Sequence, residues 1–165
     1  MARGPALDRI DLKILATLQD RGRVTNAALA EAVGLSASPC LQRVKRLEAG
    51  GYIRGYGALV DLSGLGETIT VFTEVTLASH TRSAFLRFEA GIAHHPELRE
   101  CHLVSGGYDY LLKFLTRSVS HYQAVIEAIL DADLGVQTYF STIVIRSPLR
   151  RFGLPIESLT AGGQD

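Results

Sequence analysis

Ser36, Ser38, Gln42, Arg43, Lys45 and Arg46 stand close together in one short stretch, and each carries groups for which nucleic acids present partners. Ser and Gln both donate and accept hydrogen bonds, and Arg binds guanine in a bidentate way, so Ser36, Ser38, Gln42 and Arg43 are expected against base edges. Lys45 and Arg46 lie further along and suit phosphates, which fix register without carrying sequence information. Pro39 falls where a helix has its first turn, and the N–H it lacks would have found no intrahelical partner there. Leu41, Val44 and Leu47 predict an apolar stripe on the opposite side. A helix buried along one side and cationic along the other suits a DNA groove.

The elements before this helix support that use. Thr25 is placed to N-cap a short helix in which Leu29, Ala30 and Val33 recur at helical spacing. Gly34 breaks it, and Leu35 sits in the turn before Ser36. Two short helices joined this way form a helix-turn-helix, whose second helix enters the major groove. A lone basic face is usually only solvated. The small-residue first helix, the Gly turn and the Ser-led second helix separate this stretch from that ordinary case. Upstream, Leu7, Ile10, Ile14 and Leu18 predict a helix over 8–20, with Asp8 and Asp11 at its positive N-terminal end. Downstream, Gly50 and Gly51 end the second helix, and Tyr52 to Val60 reads as extended chain with Arg54 available to a phosphate.

Charge divides the chain. The 165 residues carry no net formal charge, yet residues 1–60 hold nine Lys/Arg against five acids, a net of +4, and the remainder carries −4. A basic first half beside an acidic second half is expected if only the first meets a polyanion. The expected organisation is a winged-helix-like helix-turn-helix domain over 1–51, a strand-like linker over 52–66, a second domain over 67–157 and a flexible tail over 158–165.

The second half alternates strand, helix, strand, strand, helix, strand. Ile69, Val71, Thr73, Val75 and Leu77 alternate as a half-buried strand, and Phe85, Leu86, Phe88 and Ile92 mark a helix over 83–93. Strands are expected over 100–105, 108–115 and 137–145, with Tyr122, Val125, Ile126, Ile129 and Leu130 spaced as a helix between the last two. This βαββαβ order predicts a ferredoxin-like α+β fold, with both helices on one face of an antiparallel sheet. The other face then needs cover, and the 47% apolar content points to a second copy of the chain.

Asp8-x-x-Asp11-x-x-Ile14-Leu15, Gly34-Leu35-Ser36, Ser38-Pro39-Cys40, Arg43-x-x-Arg46-Leu47-Glu48 and Gly51-Tyr52-Ile53 resemble the N-terminal signature of the leucine-responsive/asparagine regulator (Lrp/AsnC) family. Gly106-Gly107-Tyr108-Asp109-Tyr110-Leu111 resembles the effector-domain motif of the same family, and the likeness runs from about Leu7 to Ile156. It implies a transcription regulator, not an enzyme. The partners implied are double-stranded DNA, a second copy forming a homodimer, assembly to octamers or other higher oligomers, and an amino-acid effector bound between dimers. Mapped onto this chain, the effector site is Gly106, Gly107, Tyr108, Asp109, Tyr110 and Ser141. The glycines let backbone N–H groups approach a carboxylate, and Asp109 is suited to an ammonium. Relatives often place Thr-x-Thr on the last strand. Tyr139-Phe140-Ser141 stands there instead, keeping one hydroxyl and changing the shape.

Other chemistry has little support. His94-His95 with Cys101-His102 invites a metal reading, but the spacing does not fit a closed structural site, and no metal or other cofactor is expected. No Ser/His/Asp order, paired carboxylates or phosphate loop stands out. Cys40 reads as a small packing group, with a redox switch the alternative. With no signal sequence and no apolar run long enough to span a bilayer, a cytoplasmic location is expected and no membrane partner. Two other functions compete: an architectural protein that wraps DNA, and a siroheme-decarboxylase-like enzyme on the same scaffold, recruiting His102 and Tyr108. The decarboxylase would have no use for the groove-reading helix.

Overall fold

The computed structural model describes residues 7–160. They form two units, one built from the residues up to Val60 together with those from Leu149 onward, the other from Asp61–Pro148.

The first unit holds helices α1 (Arg9–Arg21), α2 (Asn26–Val33) and α3 (Ala37–Ala49). Asp8 caps α1 through a reciprocal capping box with Asp11, and Thr25 caps α2 by accepting from the Ala28 N–H. Between α2 and α3, Gly34 takes a left-handed conformation (φ 77°) that a side chain would strain. Its turn is closed by the Leu35 N–H donating to Ala30 O at 2.8 Å. Ile14, Leu29, Ala30, Val33, Cys40 and Leu47 form the core of this unit, with Leu18, Val44 and Ile53 packed around them. Residues 52–60 make no strand; the Tyr56 hydroxyl donates to Glu48 Oε1 at 2.8 Å and ties this extended segment to the end of α3.

The C-terminal segment departs from expectation. Residues 149–160 belong with the helical unit, and Ile156–Thr160 forms a short helix, α6, against α1. The Gln19 amide both accepts from the Leu154 N–H (2.9 Å) and donates to its carbonyl (3.3 Å), as a neighbouring strand would. The expected tail is therefore helical as far as Thr160, and the rest of it lies outside the described residues.

The second unit holds β1 (Ile69–Leu77), α4 (Arg82–Ile92), β2 (Leu98–Leu103), β3 (Tyr110–Thr116), α5 (Val119–Asp131) and β4 (Val136–Ile143). The sheet order is β2-β3-β1-β4, antiparallel throughout, as the βαββαβ order requires. Val71, Val75 and Leu77 of β1 and Tyr110, Leu112 and Phe114 of β3 share one core with Phe88 and Ile92 of α4 and Tyr122, Val125, Ile126 and Ile129 of α5. Both helices thus cover the same sheet face. Leu86, expected on the apolar side of α4, is 55% exposed, because Phe85 and Phe88 already take the positions over the sheet. On the face without helices, Phe72, Glu74, Leu111, Lys113 and Leu115 are half-buried, and Phe140 is exposed.

Candidate nucleic-acid interface and effector site

Each residue of an α-helix turns by about 100°, so the buried residues of α3 fix where the others face. Cys40, Val44 and Leu47 take the inner side, with Cys40 and Leu47 fully buried. Of the predicted stripe, Val44 and Leu47 take the inner side, while Leu41 is exposed and Cys40 holds the inner place. Leu41 instead joins Ser38, Gln42 and Lys45 on the open side. Ser36 is the N-cap residue, but its hydroxyl makes no capping hydrogen bond. The Asn26 side-chain amide donates to the Ala37 carbonyl at 2.8 Å and fixes the start of α3 against the start of α2. Ser36, Ser38, Pro39, Gln42, Lys45 and Arg54 are all exposed.

Arg43 and Arg46 are placed differently from expectation. Arg43 Nη1 donates to Asp8 Oδ2 at 2.6 Å and to Asp11 Oδ1 at 2.9 Å, while Arg46 Nη2 donates to Asp11 Oδ2. Helical rotation turns Arg43 toward α1, away from the row that holds Ser38, Gln42 and Lys45, whereas Arg46, one turn after Gln42 and still exposed, flanks that row and reaches back to Asp11. The Asp11 backbone N–H, and then the Arg43 guanidinium, hold the Asp8 carboxyl below its usual range, and the two carboxylates raise Arg43 further. In the sequence, Asp8 and Asp11 are marked only by their place at the positive end of α1. Contacts more than thirty positions apart left no local signal.

In the second unit the turn after β2 brings Asp109 beneath the end of β1. The Val104 N–H donates to Asp109 O and the Asp109 N–H to Val75 O, both at 2.9 Å. The Asp109 carboxylate accepts from the Leu77 N–H at 2.7 Å and faces His80, whose Nε2 lies 3.0 Å from Oδ1. Gly106 and Gly107 are exposed at the tip, and Tyr108 is half-buried. His80, which sequence reading missed, sits between β1 and α4; its separation from Asp109 in the chain concealed the pairing.

Two expected effector residues face the interior. Tyr110 is fully buried between Phe85 and Phe88, and its hydroxyl donates to Glu89 Oε1 at 2.8 Å. Burial, reinforced by the neighbouring Glu89, pushes its ionisation far above the ordinary range. Ser141 Oγ lies 2.5 Å from the Tyr122 hydroxyl, which is 2.8 Å from Thr73 Oγ1, so its hydroxyl joins α5 to the sheet. The alternation of β3 and β4 makes this arrangement.

The candidate metal residues do not converge. Cys101 and His102 are consecutive on β2, so their side chains leave opposite faces. His94 and His95 stack at 4.3 Å, and burial together with His94 lowers His95, which opposes the charged helix-end role. Burial raises the Cys40 thiol, disfavouring the thiolate that a redox switch uses.

A helix-turn-helix unit joined to a βαββαβ unit defines a two-domain DNA-binding regulator, and known proteins narrow the class. The family model described as the Lrp/AsnC ligand binding domain matches residues 70–154, and the model for a winged helix-turn-helix DNA-binding domain matches residues 7–54. The transcriptional regulatory protein DoeX of Halomonas elongata is 44% identical over 144 residues, 87% of this chain and 91% of DoeX. The leucine-responsive regulatory protein of Escherichia coli is 45% identical over 123 residues, 74% of this chain and 75% of its own length. A transcriptional regulator from Neisseria meningitidis, solved as a complex with L-Met, superposes with a TM-score of 0.85 at 34% identity, covering 93% of this chain and 99% of its own. The chain belongs to the Lrp/AsnC family of transcriptional regulators.

Proposed function

We propose that this regulator reads DNA with the exposed row of α3 and responds to a free amino acid at the turn around Asp109. Ser36, Ser38 and Gln42 meet base edges, Leu41 is suited to a thymine methyl, and Lys45 and Arg54 meet phosphates. At the turn, the N–H groups of Gly106 and Gly107 receive the ligand carboxylate, and Asp109 with His80 faces its ammonium end. The methionine complex of the Neisseria relative supports an amino acid as the ligand class. The sheet face without helices pairs with a second copy, burying Phe72, Leu111, Leu115 and Phe140, and dimers assemble further. The ligand regulates by binding one assembly better than another. No catalytic step enters this reading.

The observation that carries it is the unobstructed row Ser38, Leu41, Gln42 and Lys45 beside a helix start fixed by Asn26. Selection from a randomised duplex pool, followed by a thermal-shift screen of the proteinogenic amino acids, tests it. An enriched duplex should be preferred by roughly a thousandfold over scrambled sequence. One amino acid at a hundredfold over its Kd should add about 2.7 kcal/mol of stability. Equal binding to every duplex makes the chain an architectural DNA-wrapping protein, and indifference to DNA at low salt ends the proposal.

A further inference from the structure

Asp11 has no exposed surface, and a buried carboxylate needs charged or polar partners around it. Its partners come from two elements. Within its own helix, Oδ2 accepts from the Asp8 N–H at 3.1 Å, completing the capping box of α1. From α3 it receives Arg43 on one oxygen and Arg46 on the other. These arginines stand close to one turn apart, so a single carboxylate spans them and fixes α3 in rotation as well as along its axis. Asp8, at the rim, holds Arg43 from the other side at 2.6 Å. A rotation that moved Ser38 and Gln42 from one base pair toward the next would have to break these contacts.

We infer that Asp11, seconded by Asp8, is a positioning residue for DNA reading. Arg43 and Arg46 serve recognition through this brace, not as base or phosphate partners of their own. The inference rests on α3 being the reading helix and adds what sets its orientation.

The test uses the full chain, a duplex that it enriches from a randomised pool, and a scrambled duplex of the same composition. Asp11→Asn keeps the shape and removes the charge. It should lower affinity for the selected duplex about tenfold and lower the selected-to-scrambled ratio, and Arg43→Gln added to it should cost little more than either change alone. Neither change should move the slope of log Kobs against log[salt], which a lost phosphate contact lowers by about one. A residue that only stabilised the fold would leave the ratio intact in a sample shown folded by circular dichroism, so an unchanged ratio overturns the inference. Tighter binding by Asp11→Asn, as released guanidiniums would give, or a slope lowered by about one in Arg43→Gln or Arg46→Gln, also overturns it. Should Asp11→Asn not fold, Asp8→Asn at the half-exposed rim is read in the same way: a ratio lowered about threefold supports the brace, and a wild-type ratio overturns it. A wild-type chain that enriches no duplex overturns the reading role and the inference with it, whereas enrichment with a wild-type-like Asp11→Asn overturns the inference alone.

Discussion

The Asp109 carboxylate faces His80 at 3.0 Å while also accepting the Leu77 N–H at 2.7 Å, so one side chain closes the end of a strand and borders the proposed ligand site. These two roles separate by mutation. Asp109→Ala leaves a part-buried N–H without its partner and should cost about 1 to 3 kcal/mol as well as the ligand response. His80 is largely exposed, and His80→Ala should change stability by no more than about 0.5 kcal/mol while altering the response. Thermal unfolding with and without the amino acid found by screening checks both, and a His80→Ala protein with a wild-type shift removes His80 from the site.

Tyr110 gives this unit an alkaline limit. Its folded-state ionisation is raised above the ordinary value near 10, so the folded chain keeps a proton that the unfolded chain releases. Its contribution is complete below about pH 10 and is lost as pH rises beyond it. Tyr110→Phe should cost about 1 kcal/mol at neutral pH through the lost bond to Glu89, yet its urea midpoint should fall less than that of wild type above pH 10. Parallel curves would assign the alkaline loss to another group.

Gly91 lies inside α4, where alanine would ordinarily add about 1 kcal/mol of helix stability. A Cβ there would stand 2.5 Å from both Cδ atoms of Leu134, which is itself buried in the core. Overpacking of this kind costs about 1 to 3 kcal/mol, so Gly91→Ala should be neutral to destabilising, and adding Leu134→Ala should relieve the clash. Denaturant titration of the single and double variants reads the coupling, which additive costs would exclude.

Much of the architecture was legible because alternation in β1 and helical spacing in α1, α2 and α5 are local signals. Difficulties arose where one residue decided the phase. Cys40 is a weak apolar marker beside Leu41, so the first position of the inner face falls about 100° out of phase while Val44 and Leu47 keep their places. Arg43 and Arg46 pair with carboxylates more than thirty positions away, so no local pattern separates them from arginines that face DNA. Tyr110 and Ser141 turn inward because strand alternation decides their face, and the motif carries residue types without that phase. The C-terminal segment has scattered apolar residues with no period, so its docking on α1 depends on contacts such as Gln19 with Leu154 that no local pattern reveals.

That docking is open to a simple measurement. Gln19→Ala removes both hydrogen bonds to Leu154, and losing about 1 kcal/mol raises the undocked population about fivefold. Trypsin should then cleave after Arg150 and Arg151 about five times faster, with the helical unit still folded by circular dichroism. An unchanged cleavage rate would mean that α6 holds the segment without help from Gln19.

Lys45 separates the two kinds of contact assigned to α3. It sits on the open row with no carboxylate holding it among the described residues, unlike Arg43 and Arg46. Lys45→Ala should therefore weaken selected and scrambled duplexes alike and lower the salt slope by about one, as removal of a single phosphate contact does. Gln42→Ala should instead leave the slope intact and relax preference at one base pair, at a cost of about 1 to 3 kcal/mol. If the Lys45 variant proved the selective one, α3 would lie deeper in the groove at its C-terminal end than its exposed row implies, and the base-reading set would shift toward that end.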